Sequence, residues 1–141
     1  MLRTGLVLDR HRGALPRMAG PFHLGAGGPL GSGRQYWSWI HIDDWVGLVR
    51  WIVESDSARG PVNLTAPGAV TNREFARTLG HVLHRPALLP APGFALRLLL
   101  GEMAGALILN GQRVVPEVAI RAGFTFRFPE LAPALRSIFE R

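Results

Sequence analysis

Neither cysteine nor lysine occurs in the 141 residues, and each absence removes a class of chemistry. Without cysteine there are no disulfides, thiolate nucleophiles, Cys-based zinc sites or iron–sulfur clusters, and nothing demands an oxidising compartment. The cytoplasm is therefore the expected location. Without lysine the chain has no Schiff-base amine, no P-loop lysine and no second member of a Tyr-x-x-x-Lys dehydrogenase pair. Long apolar runs are also lacking. The most apolar region, Ala87 to Asn110, is broken by Pro90, Pro92, Arg97 and Glu102, short of the roughly 18–20 uninterrupted residues of a spanning helix. Met1 to Asp9 carries no signal-peptide pattern, so no membrane partner is expected. A G-x-S-x-G nucleophile elbow is absent.

What is present is a globular composition, 48% hydrophobic, with a net charge of +6 and a pI near 11.5. Such a balance raises nucleic acid as a partner. All sixteen cations are arginines spread singly along the chain, and the densest group is Arg10, Arg12 and Arg17. A phosphate-tracking stripe is not visible, so nucleic acid is not expected, although an Arg-based binder remains one alternative.

The apolar pattern predicts an α/β chain. Leu6-Val7-Leu8 is contiguous, as in a strand buried on both faces of a parallel sheet. It stands at the start with no preceding strand to pair with, which points to chain missing ahead of it. Leu15 to Leu24 contains Pro16 and Pro21 and reads as a short helix or loop. Gly25 to Gly33 invites comparison with G-x-G-x-x-G, but the third glycine position is Leu30 and an aromatic strand, Gln35 to Ile42, follows instead of a helix. With no helix N-terminus to hold pyrophosphate, the run reads as a turn. Asp43 or Asp44 caps a helix with the stripe Trp45, Leu48, Val49 and Ile52. Val62 to Thr65 reads as a second strand. Thr71-Asn72-Arg73-Glu74 is a capping box opening a helix to about His84. Ala87 to Leu89 fits a brief strand, Phe94 to Leu109 one or two helices, Gln112 to Ala122 another, and Glu130 to Phe139 a last helix after the loop Gly123 to Phe128.

Side chains that could carry chemistry are few. The five histidines, His11, His23, His41, His81 and His84, show no metal-ligand spacing, so no metal is expected. His41 beside Asp43 and Asp44 has the residue types of an acid–base pair, but a strand ending at a capped helix gives it a structural role first. Trp37, Trp39, Trp45 and Trp51 lie within fifteen residues. Period-two alternation puts Trp37 and Trp39 on one strand face. Trp45 is expected in the core, and Trp37 either there or on a cleft wall.

An ordered series of motifs then stands out: R-T-G-L-V-L from Arg3, G-A-L-P-x-M from Gly13, P-F-x-L-G from Pro21, G-G-P-L-G-S-G-x-Q from Gly27 and W-I-H-I-D-D from Trp39. V-N-L-T-A-P, T-N-R-E-F-A, the Leu88 to Met103 stretch, Q-R-V-x-P and A-G-F-x-F-x-F-P-E-L follow. From Arg3 to Phe139 the series resembles the C-terminal half of extended, epimerase-like short-chain dehydrogenases of the atypical group. The resemblance implies a fold: the last strands of a Rossmann sheet plus a small, mostly helical substrate-binding subdomain, residues 1–141 forming the substrate-binding portion. It also implies that the glycine-rich loop and the Tyr-x-x-x-Lys site belong to an N-terminal half, where Tyr is the acid–base and Lys lowers its pKa. Tyr36, the only tyrosine, sits on a strand and is not that residue. By position in the resemblance, Gly5, Leu6 and Val7 border the nicotinamide end of an NADP cofactor. Relatives that act on nucleotide sugars commonly have Arg three residues ahead of Ile40, where this chain has Trp37. Arg34 is the nearest cation, either a contact for an anionic part of a small-molecule substrate or a solvated turn residue.

The expected function is thus the substrate-binding part of an NAD(P)-dependent oxidoreductase of the epimerase/dehydratase type, catalytically silent without its dinucleotide half and open to self-association. A stand-alone interaction or regulatory module and the Arg-based nucleic-acid binder are the alternatives.

Overall fold

In a computed structural model, residues 2–56, 59–89 and 113–140 are described. The expected helices between Phe94 and Leu109 lie outside them. The opening strand is not continuous. It divides at Gly5 into β1 (Leu2–Thr4) and β2 (Leu6–Leu8), because a glycine inside a strand marks a place where another backbone comes close. β1 pairs in parallel with β5 (Val62–Leu64), and β2 pairs in parallel with β4 (Trp39–His41). Within this stretch β1 is exposed along its length, Leu6 and Val7 are half-buried, and Leu8 is fully enclosed.

The aromatic strand also divides, at Ser38. β3 (Tyr36–Trp37) runs antiparallel to β6 (Val70–Thr71), and β4 is the parallel partner of β2. Because successive side chains of a strand face opposite ways, β2 and β4 separate two cores. Leu6, Leu8 and Trp39 join Phe22, Phe75, Leu79 and Leu135 on one side; Val7 and Ile40 join Leu48, Leu64 and Ala119 on the other. Each large apolar side chain enclosed here contributes roughly 1.5–3 kcal/mol of transfer free energy.

Helices close both cores. α1 (Leu15–His23) does form, with Pro16 in its first turn, where the missing N–H is not needed, and Leu15, Ala19 and Phe22 buried. α2 (Ile42–Glu54) covers the second core, with Leu48 buried and Trp45, Val49 and Ile52 packed around it. α3 (Asn72–Leu83) starts at the expected capping box: Glu74 N–H donates to Thr71 Oγ1 at 3.2 Å, and Thr71 N–H donates to the Glu74 carboxylate at 3.3 Å. α4 (Glu117–Arg121) begins directly after Pro116, and α5 (Leu131–Phe139) packs Leu131, Leu135 and Ile138 against α3. Ala87 to Leu89 is not a strand, although Leu89 N–H donates to the Gly27 carbonyl at 3.2 Å. No helix among the described residues is long and apolar enough to cross a membrane.

Candidate functional site

Three segments meet at Gly5. Its N–H donates to the Leu64 carbonyl at 3.1 Å, and the next N–H, of Leu6, donates to the Ser38 carbonyl at 2.8 Å. A Cβ at Gly5 would stand 2.6 Å from Ser38 O and 2.8 Å from Thr65 Cγ2. Glycine is required so that β1–β2 can pass from one partner strand to the other. Val114 N–H donates to Ser38 Oγ at 2.8 Å, which ties the 113–116 segment to the same junction. Beside it, Thr65 Oγ1 and Asn63 Oδ1 are buried oxygens without a hydrogen-bond partner among the described residues.

Of the other residues singled out in the sequence, Trp37 is 7% exposed and its ring meets Phe75 edge-on at 5.1 Å, so it packs in the first core. Trp45, expected in the core, is half-buried at the margin of the second. Arg34 is exposed on the turn ahead of β3, where its N–H donates to Ser32 Oγ at 3.2 Å. Arg113, not singled out individually in the sequence, holds its guanidinium 5.7 Å from the Tyr36 ring centroid, within cation–π range. Arg113 thus stands over Tyr36, and Arg34 precedes that residue by two positions on the turn. A long-range contact of this kind leaves no mark in local spacing.

The glycine-rich turn is fastened by its own chain. Leu30 N–H donates to Asn72 Oδ1 at 2.6 Å, Gly33 N–H to Leu30 O at 3.2 Å, and Arg73 N–H to Gly33 O at 2.9 Å. The Leu30 and Gly33 N–H groups are thus used internally, and the turn leads into β3 and not into the helix N-terminus that a pyrophosphate cradle requires.

His41 requires a correction. It, and not Asp43 or Asp44, caps α2: Asp43 N–H donates to His41 Nδ1 at 3.0 Å. Its other nitrogen, Nε2, lies 2.9 Å from Ser137 Oγ, and that hydroxyl donates onward to Ala134 O at 2.7 Å. Serine, histidine and aspartate are therefore in contact but wired against nucleophilic catalysis. Nδ1 is an acceptor, Nε2–H is the donor, and the serine proton already has a partner, so the ring cannot act as base toward Ser137. The ring also stacks on Phe128 at 4.1 Å. Asp44, 2% exposed, accepts from Arg127 N–H at 2.8 Å and Phe128 N–H at 2.9 Å. W-I-H-I-D-D is thus a clamp that holds the 126–139 segment on the N-terminus of α2. No group of three or more metal-ligating side chains occurs among the described residues.

The order of these elements, with a strand dividing at a glycine, a strand ending in the His-Asp-Asp clamp and a capped helix beyond, can be set against known proteins. The mouse epimerase family protein SDR39U1 is 44% identical over 139 residues, covering 98% of this chain and 47% of the mouse protein. A crystal structure of human epimerase family protein SDR39U1 (isoform 2) with NADPH superposes with a TM-score of 0.93 at 41% identity, over 99% of this chain and 47% of that one. Along its whole length the chain is homologous to the C-terminal portion of epimerase family proteins. Residues 91–138 match a family described as a domain of unknown function, DUF1731. A nucleoside-diphosphate sugar epimerase from Corynebacterium glutamicum matches with a TM-score of 0.75 at 26% identity, over 98% of this chain and 25% of that one. The fold is that of the C-terminal part of Rossmann-type epimerases. The chain spans about half the length of the curated relatives it matches.

Proposed function

We propose that this chain is the substrate-binding part of an NADP-dependent oxidoreductase of the epimerase type, and that turnover requires a dinucleotide-binding half bearing the Tyr-x-x-x-Lys pair. The observation that carries this reading is β1. It is a parallel strand, exposed along its length and paired with β5 along one edge, with no strand on its other edge among the described residues. A strand of that kind is the natural edge onto which a further parallel sheet adds. The human relative solved with NADPH supports NADP as the cofactor.

The residues present fit one end of such a cofactor. Gly5, Leu6 and Val7 border its nicotinamide end, where half-buried Leu6 and Val7 give an apolar wall. Nothing at the glycine-rich turn fits the pyrophosphate, whose cradle we assign to the other half. When bound, the cofactor supplies hydride chemistry; this chain orients the substrate and excludes water. Arg34, on the turn ahead of β3, and Arg113, over Tyr36, meet an anionic part of a small-molecule substrate. Trp37, locked on Phe75, positions the strand that carries Tyr36.

The test is to join this chain to the dinucleotide-binding half of the human relative and to follow NADPH oxidation or reduction of NADP with a panel of anionic carbonyl and hydroxyl compounds. Removing a guanidinium that contacts a charged substrate group should lower kcat/KM on the order of 30-fold or more for Arg34→Ala and Arg113→Ala. Unchanged kcat/KM in both variants would remove the arginines from the site, and no turnover with any compound would count against the enzymatic reading.

A further inference from the structure

The arginines of this chain differ in how they are balanced. Arg50 lies 3.8 Å from Glu54, Arg121 lies 3.8 Å from Glu117, and Arg127 lies 3.6 Å from Asp43. Along α3 the situation changes. Arg73, Arg77 and His81 recur every four residues and so share one helix face, which His84 and Arg85 continue past the helix end. Among the described residues none of these five has a carboxylate within 4 Å. All five line one open groove of about 690 Å³, with no acidic side chain among its described lining residues.

The helix dipole accounts for part of this arrangement only. Cations at the C-terminal end of α3 oppose the negative end of the dipole and are stabilised there. Arg73 stands in the first turn, at the positive end, where a cation is disfavoured, and it repels Arg77 one turn away. A single bond from Arg73 Nη2 to the Ser32 carbonyl, 3.2 Å, orients it without neutralising it. The walls of the groove are built by backbone. His84, the only non-glycine residue with positive φ among the described residues, reverses the chain in a left-handed helix cap at φ 55°. Gly80 then lets the chain fold back across the helix, since a Cβ there would lie 2.9 Å from Arg85 O and 3.0 Å from Ala87 Cβ. Leu89 N–H donating to Gly27 O at 3.2 Å fastens the far wall to the glycine-rich turn.

We propose that this groove is an anion site for a small molecule bearing a diphosphate or triphosphate group, separate from the junction at Gly5. The volume lies in the range of small-molecule sites, roughly 300–1,000 Å³. Guanidinium groups provide the paired donors that phosphate oxygens take up. Two or more phosphates match the run of cations along the helix better than a single charge does. The site does not depend on the enzymatic reading, because none of its residues is among those assigned to cofactor or substrate above.

Calorimetric titration of the 141-residue chain with inorganic pyrophosphate and with ATP, at about 0.1 M salt, should show saturable 1:1 binding with a Kd of about 100 μM or tighter. The Arg73→Gln, Arg77→Gln double variant should bind at least tenfold more weakly, and Arg85→Gln alone severalfold. Arg50→Gln and Arg121→Gln, on α2 and α4, should bind as the parent does. Circular dichroism identifies any variant that has lost its fold, in which case Arg85→Gln carries the test. Absence of saturable binding, equal weakening by Arg50→Gln, or stronger binding to a DNA duplex that collapses with added salt would each overturn the proposal. Failure of the joined enzyme to turn over would leave this result untouched.

Discussion

Gly5 and Asp44 are the two residues on which the arrangement depends most directly, for opposite reasons. Gly5 must have no side chain: alanine there would drive Cβ to 2.6 Å from a backbone oxygen, a neighbour that cannot rotate away. We expect Gly5→Ala to lower stability by about 1–3 kcal/mol, the usual range for forced overpacking, measured by denaturant unfolding. An unchanged midpoint would mean that β1 and β2 are free to separate. Asp44 must keep its carboxylate. Replacing it with alanine leaves the Arg127 and Phe128 N–H groups without their acceptor, and the loss of charged hydrogen bonds should cost about 2–3 kcal/mol. Hydrogen exchange at those two amides should rise in Asp44→Ala; if it stays slow, another group satisfies them. Sequence spacing suggested Asp44 as a helix cap. It could not reveal this role, because the donors lie 83 and 84 residues further on.

At the scale of elements, legibility followed the range of the interactions. α3 was readable from Thr71 and Glu74 alone, since a capping box is decided within four residues. Thr71→Ala should destabilise the chain by about 1 kcal/mol, read as a lower thermal midpoint with the α3 amides exchanging faster than those of α2. The glycine-rich turn was also readable, because a phosphate-binding loop must be followed by a helix and this one is followed by Tyr36–Trp37. β6 was not. A two-residue strand at Val70–Thr71 exists only through its pairing with β3, and neither residue announces it. The division of the opening strand had a local signal, the glycine within it, which the continuous apolar run of Leu6 to Leu8 obscured. His41 as a cap was missed because two aspartates, the stronger formers of such caps, stand two and three residues later.

For the whole molecule, the edge of β1 that no strand covers among the described residues and the exposed Leu2, at 48%, set the expected behaviour in solution. Unpaired parallel edges recruit other strands. Sedimentation of the isolated chain should therefore show concentration-dependent self-association, suppressed when the chain is joined to a dinucleotide-binding half. A monodisperse monomer with one sharp thermal transition would instead describe a self-sufficient domain. On the proposed reading, the acid–base chemistry for which this chain has no lysine and no suitably placed tyrosine is supplied by the other half. The most direct measurement is calorimetric titration of NADPH into the isolated chain and into the joined protein. The expected result is no binding to the isolated chain tighter than about 10 μM, a binding free energy near −7 kcal/mol, and saturable binding once the dinucleotide half is attached. Binding to the isolated chain at or below that constant would contradict the division of labour proposed for the two halves.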